Sequence, residues 1–289
     1  CADSMGSTDR ISQYRGRIIV TARDLQNLPF TFRDLHDAYR SGVQPSDIVS
    51  EAYRRIDAVG DPGIFLYLVD RDTAIATAQQ LGFVYDAKAD AFVVGLLREA
   101  GAILIGKTNL DQFATGLVGV RSPYIPPKNA IDPDIVPGGS SSGSGVAVAH
   151  GLVAFALGTD TAGSGRVPAA LNNIVGLKPS LGALSATGVV PACRTLDTIS
   201  IFALTVEDAY AAFQVASVFD PADAYSKHVP VRDLGVTPPA FTVGVPDAAT
   251  REFFGDTAQA DSFTTALEVI SALGGEIVEV DFSPFYAIA

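Results

Sequence analysis

Gly138-Gly139-Ser140-Ser141-Ser142-Gly143-Ser144-Gly145 and Gly158-Thr159-Asp160-Thr161-Ala162-Gly163-Ser164-Gly165-Arg166 are the two stretches that organise this chain. Between them lie a helical Val146-Ala147-Val148-Ala149-His150 and an apolar Val153-Ala154-Phe155-Ala156-Leu157 with strand character. A Gly/Ser run alone reads as a flexible linker. A linker, however, does not run straight into an apolar helix, a strand and a second Gly/Ser/Thr loop with an embedded Asp-Thr. Two small-residue loops flanking one helix–strand unit describe a backbone built to approach a ligand closely.

Outward from this unit the pattern stays that of a packed α/β chain. Thr31-Phe32-Arg33-Asp34 has the form of a capping box opening a helix that ends near Gly42. Helices are also expected over Ser46–Val59, Asp72–Leu81 and Ala89–Ala100, the last amphipathic through Val93, Val94, Leu96 and Leu97. Ala102-Ile103-Leu104-Ile105-Gly106 reads as a short buried strand. Lack of alternation there points to a sheet covered on both faces. Near the end, a helix over Ala258–Leu273 leads through Gly274-Gly275 into a strand at Glu276–Val280.

Composition narrows the function. The chain has 289 residues, 48% hydrophobic and 18% charged, with a net charge of −12. Such a chain repels phosphate backbones as a whole, so nucleic acid is not an expected partner. Cys1 and Cys193 offer no disulfide framework, which fits a reducing compartment. No apolar stretch spans a bilayer, and Cys1 to Arg10 lacks the apolar run of a secretory signal. A cytoplasmic protein without membrane association is expected.

Neither small-residue loop has the Gly-Lys-Ser/Thr ending of a phosphate loop. His36, His150 and His228 have no ligand spacing, so no metal is expected and each reads as structural. Gly139-Ser140-Ser141-Ser142-Gly143 matches the Gly-x-Ser-x-Gly elbow formally, with Ser141 at its centre. That elbow should follow a strand, whereas a proline-rich segment precedes it here. A hydroxyl nucleophile without an adjacent His needs another base, and a buried neutral lysine acting through a second serine is one solution.

At this point the two loops carry a specific resemblance. Gly138 to Ser144 and Gly158 to Ala170, with Ser140 and Ser164 standing 24 positions apart, resemble the amidase signature family. The resemblance implies a mixed β-sheet sandwiched by helices, with residues 1–30 as a lead-in and 31–289 as the amidase domain. It assigns the nucleophile to Ser164 and a bridging serine on a cis peptide bond to Ser140. Backbone N–H groups of Thr161, Ala162, Gly163 and Ser164 would form the oxyanion hole. Asp160 and Arg166 read as a structural ion pair. Gly106-Lys107-Thr108-Asn109-Leu110-Asp111 through Gly119, then Arg121-Ser122-Pro123-Tyr124, is similar to the allophanate-hydrolysing subgroup. So is Asn172-Asn173-Ile174-Val175-Gly176-Leu177-Lys178-Pro179. Gly116 is read either as lining the substrate pocket or as a tight turn.

The likeness implies cofactor-free hydrolysis of allophanate (urea-1-carboxylate) to ammonia and carbon dioxide, coupled to a biotin-dependent urea carboxylase. A homodimer is a further arrangement open to it. Other amides remain alternatives, glutamine or a small amide among them. The family's lysine belongs to a Lys-Asp-Asn-like segment with no match here. Its expected place is between Leu81 and Phe83, where the chain runs straight on, and the C-terminal part of the domain is also expected to be missing. Lys107 matches a different position and reads as structural, and Lys88 has no motif support. A non-catalytic, amide-binding relative therefore stays open.

Overall fold

The capping box at Thr31 is the first local prediction that the computed structural model tests. Thr31 Oγ1 accepts from Asp34 N at 3.1 Å and opens helix α1 (Phe32–Arg40), but the Asp34 carboxylate bonds the Thr31 hydroxyl and not its backbone N–H, so only the N-cap half of the expected box forms. The structure describes residues 24–79, 90–235, 238 and 240–288. Most of the lead-in, the join at Leu81–Phe83 and Lys88 therefore lie outside the described residues. Two compact units arise, Cys1–Arg232 and Asp233–Ala289, each taken by itself below.

In the first unit, α2 (Pro45–Val59) starts one residue earlier than expected, because Pro45 suits a first helical position. It stops at Gly60, which caps it in the left-handed conformation. Strand β1 (Phe65–Leu68), α3 (Arg71–Gln79) and α4 (Phe92–Glu99) follow. The strand expected over Ala102–Gly106 is displaced to β2 (Gly106–Thr108), antiparallel to β1. Helices explain the displacement. Ile103 and Ile105 pack against Val49, Tyr53, Ala74 and Ala78 of α2 and α3, so their burial does not need strand pairing.

The central sheet places the site. Strand β3 (Phe155–Asp160) follows α5 (Ser142–Ala149), and α6 (Arg166–Leu171) precedes β4 (Val175–Leu177). Both strands pair antiparallel with β5 (Thr198–Ala203), giving the order β3-β5-β4. The ladder sets β3 two residues later than expected: Phe155 faces Ala203 and Asp160 faces Thr198. All six β5 residues are buried. Ile199, Ile201 and Ala203 pack with Val93 and Leu97 of α4 and with α7 (Val206–Ala216). Phe202 joins Val148 of α5 and Ala169 of α6. Alternate residues of one strand thus feed two helical layers, the sheet sandwiched by helices that the family resemblance implied. Burying Phe202 alone is worth about 1.5–3 kcal/mol relative to exposure.

In the second unit, β6 (Phe241–Pro246), α8 (Thr257–Ala272) and β7 (Gly275–Val280) form a β–α–β unit with parallel strands. Both elements expected there, a helix and a strand after the glycine pair, are present. Asp256 caps α8 by accepting from Gln259 N at 2.9 Å.

One polar tie fastens α1 to α7. Asp208 Oδ1 accepts from Phe32 N at 3.1 Å, while Oδ2 is buried with no partner among the described residues. Burial, aided by the nearby Glu207 and Asp34 carboxylates, raises the Asp208 carboxyl above its ordinary range, outweighing the bonds from Phe32 and Thr205. A raised carboxyl binds its proton more tightly when folded. Its contribution is therefore fully present below the unfolded value and is lost as pH rises through the folded one. Asp208→Asn keeps the acceptor for Phe32 and cannot ionise. Its melting temperature should exceed that of the wild type at pH 8, and the gap should shrink as pH falls. A gap independent of pH in a thermal-shift series would refute this.

Candidate active site

The Gly/Ser run forms the entrance to α5, and its residue types follow from what crowds it. The Gly139–Ser140 peptide bond is cis. A Cβ at Gly139 would lie 2.2 Å from Asp111 Oδ2 and 2.5 Å from Gly119 N, so only glycine fits this close approach. Ser141 Oγ sits against the edge of β3, donating to Thr159 O and accepting from Thr159 N, both at 3.3 Å. Ser144 Oγ donates to Leu157 O at 2.7 Å and lies 2.8 Å from Thr108 Oγ1. These two hydroxyls fasten α5 to the sheet. Ser140 differs: its Oγ is wholly buried and has no hydrogen-bond partner among the described residues.

The second loop leaves the end of β3 and wraps around one carboxylate. Asp160, fully buried, accepts from Gly163 N at 2.8 Å, Gly165 N at 3.0 Å and Arg166 N at 3.2 Å. The Arg166 guanidinium closes the cluster with two bonds of 2.9 Å. Burial opposes the charge on Asp160, but the Arg166 fork and the two glycine N–H groups outweigh it. The carboxyl is held below its usual range. The structural ion pair expected from sequence is present, and it does more than pair charges: it shapes the turn that carries Ser164.

The loops meet at a main-chain bond, Ser141 N donating to Ser164 O at 3.3 Å. Ser164 is buried. The wall beside them comes from residues 109–121. Asp111, fully buried, accepts from Gly119 N at 3.0 Å and Arg121 N at 2.6 Å, and its own N–H donates to Ser140 O at 2.9 Å. Gly116 adopts φ +139°, and a Cβ there would press on the Asp111 carboxylate at 2.9 Å. The turn around Asp111 therefore accounts for this glycine.

Of the four N–H groups read as oxyanion donors, Gly163's is committed to Asp160. Those of Thr161, Ala162 and Ser164 have no acceptor among the described residues. Lys107 Nζ donates to Thr108 O at 3.2 Å, and it is the Thr108 hydroxyl that meets Ser144. Burial lowers the Lys107 pKa. His228 stacks on Phe219 with ring centroids 4.1 Å apart, and His150 ends α5. No group of three His, Cys, Asp or Glu among the described residues is placed to hold a metal ion. Nor is any helix among them long and apolar enough to cross a membrane.

Sequence reading missed Asp111 and Asp197 as organisers of the site. The signal for the first was available: a lone acid at the head of Gly116-Leu117-Val118-Gly119 can gather the N–H groups of a tight turn. Asp197 bonds Thr161 from far along the chain, and no local pattern announces it.

An α/β sheet thus delivers two interlocked small-residue loops, one with a buried hydroxyl and one with N–H groups that have no acceptor among the described residues. The family model described as Amidase matches residues 66–289, so the chain belongs to the amidase family. It is 47% identical over 222 residues to the urea amidolyase of Lachancea kluyveri, covering 76% of this chain and 12% of that protein. Against a glutamyl-tRNA(Gln) amidotransferase subunit of Carboxydothermus hydrogenoformans it is 42% identical over 198 residues, or 66% of this chain and 40% of that one. A solved Kluyveromyces lactis allophanate hydrolase superposes with a TM-score of 0.76 at 35% identity, covering 91% of this chain and 47% of that one. The chain thus spans less than half the length of these relatives.

Removing the Asp160 carboxylate strands the N–H groups of Gly163 and Gly165 and breaks the Arg166 fork. Asp160→Ala should destabilise the fold by about 2–5 kcal/mol, read from urea unfolding midpoints. A loss below about 0.5 kcal/mol, the scale of an unremarkable surface change, would contradict this account.

Proposed function

We propose that this chain carries the amide-hydrolysing chemistry of its family with Ser164 as nucleophile, and that allophanate is its substrate. The observation that carries the reading is the Ser141 N–H to Ser164 carbonyl bond. It locks the two serine loops together beside the buried Ser140 hydroxyl, which has no partner among the described residues. In this reading Ser164 Oγ attacks the amide carbonyl and gives its proton to Ser140. Ser140 passes it to the base that the family resemblance assigns to a lysine, and the proton returns to the leaving nitrogen. Water then releases the acyl group from Ser164 by the reverse relay.

The negative oxygen of the tetrahedral intermediate would lie against the N–H groups of Thr161, Ala162 and Ser164. Gly163 supports the loop by bonding Asp160 instead of pointing at that oxygen. One well-placed donor of this kind is worth about 10²–10³-fold in rate. Gly116 would border the substrate through its backbone. No metal or organic cofactor has a part in this chemistry.

The likeness to urea amidolyases and to an allophanate hydrolase supports the substrate, and with it coupling to a biotin-dependent urea carboxylase that supplies allophanate. Identity to an amidotransferase component supports a second reading, in which glutamine is the amide. Ser141, engaged with both Thr159 main-chain groups, is poorly placed to act as an esterase-type nucleophile.

Ammonia release by the full natural protein should separate these readings. Release from allophanate but not glutamine is expected. Ser164→Ala should abolish it, Ser140→Ala should lower it by about 10²–10⁴-fold, and Ser141→Ala should be far milder. Release from glutamine alone would overturn the substrate. Saturable binding without turnover, indifferent to Ser164→Ala, would make the chain a non-catalytic amide binder.

A further inference from the structure

We infer that Asp197 is a positioning residue for the reaction, acting through Thr161 on the N–H groups that face the oxyanion. The inference rests on the reading of Ser164 as nucleophile. Asp197 is buried and lies at the foot of β5. Its Oδ1 accepts from Thr161 Oγ1 at 2.5 Å and from Cys193 N at 3.0 Å, and its Oδ2 accepts from Ala192 N at 2.9 Å and Cys193 N at 3.0 Å. One carboxylate thus binds the tip of the 190–197 loop to the first residue of the nucleophile turn.

The neighbouring residue adds a second hold. Thr198 Oγ1 donates to Asp160 O at 2.9 Å, so the peptide entering Thr161 is fixed by Thr198 and the side chain leaving it by Asp197. With both held, the φ angle of Thr161 is restrained, which narrows the directions open to the peptide joining Thr161 to Ala162 and so to the Ala162 N–H. A hydrogen bond to a carboxylate suits this task, because it is stronger than one between neutral groups.

The loop that carries the carboxylate is itself anchored. Ser185 and Thr187 each donate to Asp220 at 2.6 Å, Ala186 N donates to Asp223 at 2.8 Å, and Arg194 pairs with Asp223. Asp197 therefore transmits a rigid frame to Thr161. The bond to Thr161 is the one that reaches the site.

The test is the rate at which a small fluorophosphonate labels Ser164, since phosphonylation places a charged oxygen in the same hole. Full natural protein, Asp197→Asn, Thr161→Val and the double variant are compared well below their melting temperatures, with Thr161→Ser as the conservative rescue. Each single variant should label about 10–100-fold more slowly, through the maximal rate and not the half-saturating probe concentration. The double variant should be no slower than the slower single one, and Thr161→Ser should retain the wild-type rate. Variants that melt earlier yet label at the wild-type rate would overturn the inference and leave Ser164 standing. Failure of the wild-type protein itself to label, matching Ser164→Ala, would instead bring down the nucleophile and Asp197's role with it.

Discussion

Asp160 is the constraint on which the site is built. A carboxylate removed from water must be repaid by hydrogen bonds, and here the repayment comes from the chain's next turn: Gly163 N, Gly165 N, Arg166 N and the Arg166 fork. Satisfying one buried charge forces residues 161–166 into a single tight wrap at the end of β3. Ser164 sits on that wrap because of it. The same demand takes the Gly163 N–H out of play, while those of Thr161, Ala162 and Ser164 have no acceptor among the described residues.

Asp111 repeats the device on the opposite wall. Its carboxylate collects Gly119 N and Arg121 N, and its own N–H holds Ser140 O. Asp197 repeats it a third time between Thr161 and the 190–197 loop. Three buried carboxylates, each bonded chiefly to backbone N–H groups, thus fix three loops whose own residues are too small to pack them in place. Glycine and serine allow the close approach, and the acids supply the rigidity. Such a site is preorganised by electrostatics more than by hydrophobic packing, which falls to β5 and the helices on its two faces.

Much of this was legible beforehand, and the rest was hidden for identifiable reasons. The N-cap at Thr31, the helix stop at Gly60 and the helix α8 come from interactions within a few residues, so local patterns report them. Strand β5 was overlooked because Thr198-Ile199-Ser200-Ile201-Phe202-Ala203 is a short apolar run, and its meaning comes only from β3 and β4 on either side. The strand placed at Ala102–Gly106 erred in the other direction: helices bury Ile103 and Ile105, and pairing begins at Gly106.

The sequence by itself determined which residues could do chemistry. Two spaced loops of small residues with a serine in each, an Asp–Arg pair beside one of them and no metal-ligand spacing are all properties of the linear order. Tertiary structure alone decided how they are used. It tied Ser141 to Thr159, left the Ser140 hydroxyl buried with no partner among the described residues, spent the Gly163 N–H on Asp160 and brought Asp197 to Thr161 across 36 residues. The physical reason is that hydrogen-bond satisfaction is settled in three dimensions. Each buried donor takes the acceptor that folding brings within reach, and the sequence supplies the donors without saying which acceptor that will be.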